Sequence, residues 1–447
     1  MVYYLLSFGK GEQGRMQRLS ARNTVLVGLT LFSMFFGAGN LIFPPYLGAM
    51  AGQKLLPALI GFAVSAIGLP VLGVAVAARA GGLPALAGRV GPRFAAVFTL
   101  LIYLSIGPCV AIPRTASTSF EMAVVPFLGE PSPAMRVGYA MMFFAVAMAV
   151  ALRPDRISGF LGRITGPLLL GLILILVAGC LVQFPFALDP ARGVYQNNTA
   201  VEGFLYGYQT MDTIAALNFG IVIALNIRHR GVQEDSGVVK ATVRAGWITG
   251  AVLLLVYSGL ACAGGLAGAG AEEPANGAVL LSGMAGRLFG KWGTVLVGVI
   301  FVIACLNTCI GLLSCCGEYF HSICPRLGVR GWILVFSAAG LCISVAGLDM
   351  ILTFSTPVLN IIYPVAIVLI ALGLAHALVR RVLAIYPVCI TVAAVFSVLC
   401  ELRRLGVPVP LVEHLPLYPQ QLGWVVPVAL AAVAAAVAAL FRRRTKV

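Results

Sequence analysis

The first long apolar segment of the chain is interrupted by the stretch SMFFGAGNLIFPP, residues 33–45. Glycine weakens a helix by about 1 kcal/mol per residue relative to alanine, and proline removes a backbone hydrogen-bond donor. The sixth long apolar segment is interrupted in a similar way by GYQTMD, residues 207–212. Both stretches therefore predict a helix that is broken near the middle of an apolar segment.

The composition indicates what surrounds these two breaks. The apolar residues AVILMFWYC make up 60% of the 447 residues and charged residues make up 10%, against about 25% charged residues in an ordinary soluble domain. Disordered chains are poor in apolar residues, which excludes disorder as well. The solvent of this chain is mostly lipid. Backbone groups in lipid must pair within their own segment, so we predict an all-α polytopic membrane protein.

Twelve apolar segments are long enough to be transmembrane helices, because about 20 residues cross the ~30 Å hydrocarbon layer. Their predicted ranges are 22–48, 55–78, 94–118, 134–152, 157–184, 200–227, 242–265, 292–317, 331–347, 350–376, 382–400 and 424–441.

The basic residues predict the orientation. Eight of the 30 Lys and Arg fall on one side of the twelve spans and 22 on the other, which also receives both chain ends. Because Lys and Arg are retained on the cytoplasmic side during insertion, we expect residues 1–21 and the tail 442–447 to be cytoplasmic. The net charge of +15 would suggest nucleic acid for a soluble protein. Here the charges lie in short clusters between apolar runs, and no nucleic-acid partner is expected.

The start of the chain does not have the pattern of a signal peptide. Its first residues, MVYYLLSF, place a short apolar run before the charges, which is the wrong order. We expect translation to start at Met16.

The two breaks occupy matching positions of a repeat. The second lies about 170 residues after the first, and each opens a run of five apolar segments. Residues 22–185 and 199–378 are therefore predicted to be two copies of a five-helix unit, followed by two further helices in 382–441. Because five is odd, the copies enter the membrane from opposite sides. Broken helices at matching positions of inverted repeats are the best sequence-level pointer to a transporter binding site.

A broken helix offers N–H groups on one half and C=O groups on the other. The N–H groups of Gly37, Ala38 and Gly39, next to Asn40 and at the positive end of a half-helix, suit a carboxylate. Carbonyl groups near Phe36 suit an ammonium group or a hard cation such as Na⁺. The geometry favours an α-amino acid zwitterion. The alternative is that Gly and Pro are simply more frequent in membrane helices.

Asp212 is the only acidic residue deep within a predicted span, and a carboxylate there is a functional candidate by default. It could balance a cation, receive the substrate ammonium or carry a coupled proton; an equal alternative is a structural cap on the second half-helix. Other candidate substrate ligands beside it are Gly207, Tyr208, Gln209 and Thr210.

The eighth span carries Asn307 and Thr308 within an apolar run. With carbonyl groups near Ser33 and Phe36 they could complete a Na⁺ shell, and ordinary hydrogen bonding between helices is the alternative.

Three further expectations concern the surroundings of the site. Arg114 is expected at the membrane interface, with its head group reaching water. The apolar part of the pocket is expected to include Ile102, Tyr103, Ile214 and Leu217. The segment 266–291 is either a lid over the site or an ordinary surface loop.

Four motifs resemble those of the bacterial branched-chain amino acid:cation symporters, of the amino acid–polyamine–organocation superfamily. They are Leu31 to Pro45, Gly107 to Thr115, Gly207 to Asp212, and Ala304-Cys305-Leu306 with Thr308 and Gly311-Leu312. The resemblance implies a leucine-transporter-type fold with broken helices 1 and 6, and Leu, Ile and Val as substrates. It also implies Na⁺ or H⁺ as the coupling ion, and it favours Ser33, Phe36, Asn307 and Thr308 as the cation site.

We therefore predict a secondary active transporter of a bacterial inner membrane that works by alternating access. It is expected to need membrane lipid, no organic cofactor and no obligate protein partner. The main alternative is a membrane sensor that binds an amino acid without net transport. A channel would show a continuous polar pore, and no nucleophile–base pair indicates an enzyme.

Overall fold

The structure is a computed structural model, and it describes residues 19–128, 132–153, 157, 159–274, 276–380, 382, 384–410 and 412–444. The expected start at Met16, most of the N-terminal segment 1–21 and the last residues of the tail lie outside the described residues.

Helices occupy each of the twelve predicted segments. In the first half of the chain they are α1 (Ala21–Phe35), α2 (Ala38–Ala51), α3 (Leu55–Ala63), α4 (Leu69–Ala80), α5 (Leu83–Gly88), α6 (Pro92–Leu104), α7 (Ala111–Ala123), α8 (Val125–Leu128), α9 (Pro133–Ala151) and α10 (Gly166–Gln183). Three π-helical turns adjoin them, at Val64–Gly68, Ser105–Cys109 and Gly159–Thr165.

The helices of the second half are longer on average. They are α11 (Thr199–Tyr208), α12 (Asp212–His229), α13 (Asp235–Gly268), α14 (Gly277–Phe289), α15 (Lys291–Ile323), α16 (Gly328–Ser344), α17 (Leu348–Leu374), α18 (His376–Val379), α19 (Ile385–Arg404) and α20 (Val425–Arg444).

The predicted multi-pass helical architecture is confirmed. Within the described ranges, nine helical stretches are long and apolar enough to cross a membrane, and α11 with α12, bent by 45°, makes a tenth. Length alone does not establish the number twelve, because α2 continues into α4 as one helical stretch, Ala38–Ala80, and because α1 has 15 residues.

Both predicted breaks are confirmed. Helix α1 ends at Phe35, and Gly37 is extended (φ −114°, ψ −161°) before α2 begins at Ala38. Helix α11 ends at Tyr208, and Met211 adopts φ +67° immediately before α12. Residues other than glycine rarely adopt this left-handed backbone conformation. The backbone strain that it causes is concentrated at functional sites.

Glycines hold the half-helices α2 and α11 against neighbouring helices. A Cβ atom on Gly48 of α2 would lie 1.8 Å from the carbonyl oxygen of Ala261 in α13. A Cβ atom on Gly61 of α3 would lie 1.8 Å from the carbonyl oxygen of Ala200 in α11. The paired backbones are therefore in direct contact, which positions both breaks relative to the surrounding bundle.

The loop 184–198 and residues 269–274, which follow α13, meet over the end of α2. We call this side of the molecule the loop side. The Asp189 carboxylate accepts hydrogen bonds from the N–H of Gly270 (2.9 Å) and from Arg192 (2.6 Å). The Gly270 N–H and the Arg192 guanidinium hold the pKa of the Asp189 carboxyl below its ordinary value. The Asp189 carbonyl accepts from the N–H of Gln53, so this residue joins both loops to the start of α3.

The segment expected to be either a lid or a surface loop contains a helix that packs on the first broken helix. Gly277, at the start of α14, is so close to α2 that a Cβ atom would lie 1.8 Å from the carbonyl oxygen of Ile42. Helix α14 therefore packs against α2 on the loop side of the molecule.

Candidate functional site

A cavity lies between the two breaks and is lined by residues of both. About 460 Å³ of space free of protein atoms lies between these residues, and this volume includes space that is open to solvent. Its polar wall contains Asn40, Arg114, Thr115, Thr210, Asp212 and Thr308, and its apolar wall includes Phe35, Ile106, Ala215, Phe219 and Leu312.

At the first break, Gly37, Ala38, Gly39 and Asn40 all line the cavity, as their predicted role requires. The N–H of Gly37 is not available to a ligand, however, because it donates to Oδ1 of Asn40 (3.1 Å). This bond is one half of a capping box, in which the third helical residue reaches back to the N-cap. The expectation of a free Gly37 N–H was therefore wrong. The N–H of Ala38 faces the Cys305 thiol, which leaves the N–H of Gly39 as a first-turn donor.

A hydrogen-bond network joins the first break to Asp212. Nδ2 of Asn40 donates to Oδ2 of Asp212 (2.5 Å) and also contacts the Tyr257 hydroxyl. The Tyr257 hydroxyl donates to the same carboxylate oxygen (3.1 Å). The bond from the Gly37 N–H fixes which atom of the Asn40 amide is the oxygen. The two half-helices α2 and α12 are thus connected through one carboxylate.

The structure does not favour the alternative that Asp212 caps its own helix. The N-cap of α12 is Met211, and Asp212 is the first helical residue. Its carboxylate bonds to Asn40 and Tyr257. It also lies in the first turn, where a negative charge is favourable.

The other candidates at the second break divide into two groups. Thr210 lines the cavity. Gly207 packs against α3 and its continuation, where a Cβ atom would lie 1.9 Å from the Ser65 hydroxyl. Tyr208 stacks on Tyr363 (4.7 Å between ring centroids). Gly207, Tyr208 and Gln209 are not part of the cavity wall, and the carbonyl oxygen of Gln209 lies 3.5 Å from Nη1 of Arg114.

The residues proposed for a cation lie around the first break, but their side chains point in different directions. The Thr308 hydroxyl is buried, has no hydrogen-bond partner among the described residues, and faces Gly37, where a Cβ atom would lie 2.8 Å from it. Oδ1 of Asn307 instead accepts from the Thr165 hydroxyl (2.7 Å). The Ser33 hydroxyl donates to the carbonyl oxygen of Leu161 (2.9 Å).

Phe36, the fourth residue of that set, turns its ring away from the cavity, onto Phe32 (5.1 Å between centroids). Of the four, only Thr308 lines the cavity. A cation role for the set stays a prediction.

Arg114 is placed differently from the sequence-based expectation. It is 7% exposed and lines the cavity, so the prediction of an interfacial residue was wrong. The physical reason is the π-helical turn Ser105–Cys109, in which Gly107 has a non-helical ψ of −126°. This turn changes the direction of the chain before α7 begins, and it brings Arg114 to the interior.

The prediction of the apolar lining named the correct helical segments but the wrong positions along them. Ile102, Tyr103, Ile214 and Leu217 are fully buried but do not line the cavity. Tyr103 instead stacks on Tyr319 (3.8 Å between centroids). Positions Ile106, Ala215 and Phe219, on the same helical segments, take their place.

Two buried polar groups, one beside the site and one outside it, were not predicted from the sequence. Tyr257 is a tyrosine in a long apolar helix, and nothing in the local sequence indicates its bond to Asp212. Glu401 is a second buried carboxylate, 5% exposed, which accepts from Nδ2 of Asn360 (3.1 Å). Asp212 is therefore not the only buried acid: α19 continues to Arg404, beyond its predicted end, and so includes Glu401.

The sequence as a whole was compared with known families. The family model described as "Branched-chain amino acid transport protein" matches residues 20–442. This chain belongs to that family. The family consists of transport proteins, which agrees with the prediction that the chain is not an enzyme, and the predicted resemblance is confirmed.

Curated members of the family align with nearly the whole chain. The branched-chain amino acid permease BraB of Bacillus subtilis is 35% identical over 430 residues, covering 95% of this chain and 97% of the relative. The branched-chain amino acid transport system 2 carrier protein of Pseudomonas aeruginosa is 37% identical, covering 94% of this chain and 97% of the relative.

Solved structures share the fold at low sequence identity. Mhp1, a nucleobase-cation-symport-1 family transporter in a closed conformation with bromovinylhydantoin bound, has a TM-score of 0.55 at 14% identity and covers 94% of this chain and 93% of its own. MhsT in complex with L-phenylalanine has a TM-score of 0.52 at 14% identity, with coverages of 95% and 99%. The fold of this family member is thus the predicted leucine-transporter type, with helices 1 and 6 broken.

Proposed function

We propose that this chain imports leucine, isoleucine and valine by alternating access, coupled to Na⁺ or H⁺. The observation that carries the proposal is the cavity between the breaks, where Asp212 and Arg114 are both buried beside an apolar wall. The named activities of the relatives, a branched-chain amino acid permease and a carrier protein, support this substrate class.

The apolar wall accounts for the sharing of one site by three substrates. Phe35, Ile106 and Phe219 lie on the side of the cavity that would receive an aliphatic side chain. A hydrophobic pocket distinguishes substrates that differ by one methylene by only about 1–3 kcal/mol. Leucine, isoleucine and valine are therefore expected to compete with one another.

The coupling ion is assigned to the contact between the first break and α15. The Thr308 hydroxyl is buried without a partner in the described chain. Oδ1 of Asn307 accepts one hydrogen bond, from the Thr165 hydroxyl, and keeps a second lone pair for a cation. A Na⁺ ion held by the Thr308 hydroxyl, the Asn307 side chain and carbonyl groups near Ser33 and Phe36 would tie the first broken helix to α15. If the ion is a proton, Asp212 is the group that carries it.

One coupled charge supplies enough energy for concentrative uptake. A charge that moves through 100 mV releases about 2.3 kcal/mol. At about 1.4 kcal/mol per decade, this sustains roughly fifty-fold accumulation of the amino acid.

We further propose that the chain lies in a bacterial inner membrane with both ends in the cytoplasm. The distribution of Lys and Arg supports this orientation. Nη1 of Arg230, just after α12, donates to Oδ1 of Asn23 in α1 (3.1 Å), so the beginning of the described chain lies on the same side as this basic segment.

Uptake of labelled leucine into proteoliposomes, with Na⁺ and pH gradients imposed separately, tests the proposal. We expect uptake under one of the two gradients, with inhibition by unlabelled isoleucine and valine. Leucine binding without uptake under either gradient would instead indicate the sensor. Uptake that neither isoleucine nor valine inhibits would contradict the substrate class.

A further inference from the structure

Arg114 is a buried cation that forms no salt bridge with the residues the structure describes. It is 7% exposed, and no carboxylate of the described residues lies within 4.0 Å of its guanidinium. Its Nη1 reaches the Gln209 carbonyl oxygen and the Met211 sulfur, both at 3.5 Å, which is the far limit for a hydrogen bond to oxygen. A guanidinium has five N–H donors, and a buried charge is costly unless it is paired. Among the described residues, most of the N–H donors of Arg114 therefore have no protein acceptor.

The guanidinium lies directly over the first turn of α2. A Cβ atom on Gly39 would be 3.4 Å from Nη2 of Arg114. The N–H groups of that turn and the positive end of the helix dipole also favour an anion. Two independent features, a helix N-terminus and an unpaired buried cation, therefore favour a negative group at the same place in the cavity.

Asp212 does not supply that negative group. Its Oδ2 is occupied by Asn40 and Tyr257, and it is not within ion-pair distance of Arg114. The cavity thus holds one positive and one negative side chain that are kept apart. This arrangement matches a small molecule that carries both charges.

We propose that Arg114 binds the α-carboxylate of the substrate while Asp212 faces its α-ammonium group. This inference rests on the proposed function and deepens it. The site is then specific for free α-amino acids, because a ligand without the carboxylate leaves Arg114 unpaired. Leucinamide, which keeps the side chain and the ammonium group, is excluded by Arg114. The 2-oxo acid that corresponds to leucine, 4-methyl-2-oxopentanoate, keeps the carboxylate and is excluded by Asp212.

The first experiment uses the unmodified protein in proteoliposomes. Leucine, leucinamide and 4-methyl-2-oxopentanoate are compared as inhibitors of labelled leucine uptake. Truncation of one partner of a buried charge pair costs about 2–5 kcal/mol, so each analogue should inhibit at least about 30-fold more weakly than leucine. If leucinamide inhibits as strongly as leucine, the inference is wrong, although the proposed function stands. Absence of leucine uptake would contradict the proposed function itself.

The second experiment measures equilibrium binding to purified Arg114→Gln and Arg114→Lys variants. In Arg114→Gln, leucine affinity should fall about 30-fold or more while leucinamide affinity changes little, so that the ratio between them collapses. Arg114→Lys, which keeps the charge, should retain part of that ratio. Arg136→Gln is the matched control, because Arg136 forms a surface contact with Glu121 (3.9 Å) and should keep the full ratio. An unchanged ratio in Arg114→Gln would overturn the inference.

Discussion

Nδ2 of Asn40 lies 2.5 Å from Oδ2 of Asp212, so the two broken helices are hydrogen-bonded to each other although the residues are 172 positions apart in the sequence. Tyr257, on α13, donates to the same oxygen. A change in the charge of this carboxylate, or in its hydrogen-bond partners, therefore alters contacts of α2, α12 and α13 at the same time. This connection gives Asp212 a means of coupling the two repeats, in addition to its place in the cavity wall.

Removal of the Asp212 charge should abolish most transport. The Asp212→Asn side chain keeps the size and shape of the aspartate, but a bound cation or ammonium group loses its counter-charge. We expect the rate of leucine uptake to fall about 30-fold or more. Glu401→Gln removes a second buried carboxylate, outside the cavity, and should keep uptake near the unmodified level. Initial uptake rates, normalised to the amount of folded protein, measure both. Similar rates for the two variants would contradict the site assignment.

The Tyr257 hydroxyl should contribute through its bond to Asp212. A hydrogen bond to a charged group contributes about 1.5–3 kcal/mol, so Tyr257→Phe should lower leucine uptake by roughly 10- to 100-fold. The matched control is Tyr103→Phe, because the Tyr103 hydroxyl is equally buried but finds no hydrogen-bond partner in the described part of the chain. Uptake measured as a function of leucine concentration separates the two variants. Equal rates in both would remove Tyr257 from the site.

The Thr308 hydroxyl should determine the Na⁺ dependence of uptake, if Na⁺ is the coupling ion. Loss of one oxygen ligand in Thr308→Ala should raise the half-saturating Na⁺ concentration by about tenfold or more, since even residues that only support a metal ligand contribute about 10- to 100-fold in affinity. Thr308→Ser should restore it. Ser314→Ala is the control on the same helix, since its hydroxyl donates to the carbonyl oxygen of Ile310 (2.8 Å). The prediction is contradicted if Thr308→Ala shows the same Na⁺ titration as the control.

The contact between Gly48 and Ala261 should make Gly48 intolerant of any side chain. The Cβ atom in Gly48→Ala would overlap a backbone oxygen at 1.8 Å, and overpacking of this kind costs about 1–3 kcal/mol of folding free energy. In Gly171→Ala, no atom lies within 4 Å of the new Cβ, and α10 should gain up to about 1 kcal/mol of helix propensity. Thermal unfolding midpoints in detergent should therefore move in opposite directions.

The loop contact at Asp189 should depend on pH in the acid range. Because the folded-state pKa of this carboxyl is lowered, its contribution to stability is fully present above the unfolded pKa of about 4 and is lost as the pH falls through the folded pKa. Asp189→Asn should thus unfold at a lower temperature than the unmodified protein between pH 5 and 8. The difference should shrink below pH 4. A difference that grows on acidification would contradict the predicted sign.

The breaks could be predicted from the sequence because their causes are local. Gly37 disturbs a helix wherever it occurs, and the repeat arrangement follows from counting segments between the breaks. Pro44 and Pro45 were expected to contribute to the first break, but they lie inside α2, which continues through them. Asp212 could be predicted for the same reason, since a carboxylate in an apolar segment needs a partner.

The direction of individual side chains could not be predicted. Asn307 and Thr308 are adjacent, and adjacent residues on an α-helix point about 100° apart. Only Thr308 lines the cavity, while Asn307 turns to Thr165. The direction of Arg114 depends on a π-helical turn that shifts the helical register before α7, and the sequence does not predict this turn. For Tyr257, the partner lies 45 positions away and on another helix.

The glycine contacts on the loop side have a mechanical consequence. Since the backbone of α2 touches that of α13, and the backbone of α11 touches that of α3, neither half-helix can slide past its neighbour by rotamer changes alone. Any movement of the cavity wall on this side must therefore move α2 together with α13, and α11 together with α3, as rigid bodies. A protein that binds the surface ends of α3 or α13 would then slow the transport cycle without entering the cavity.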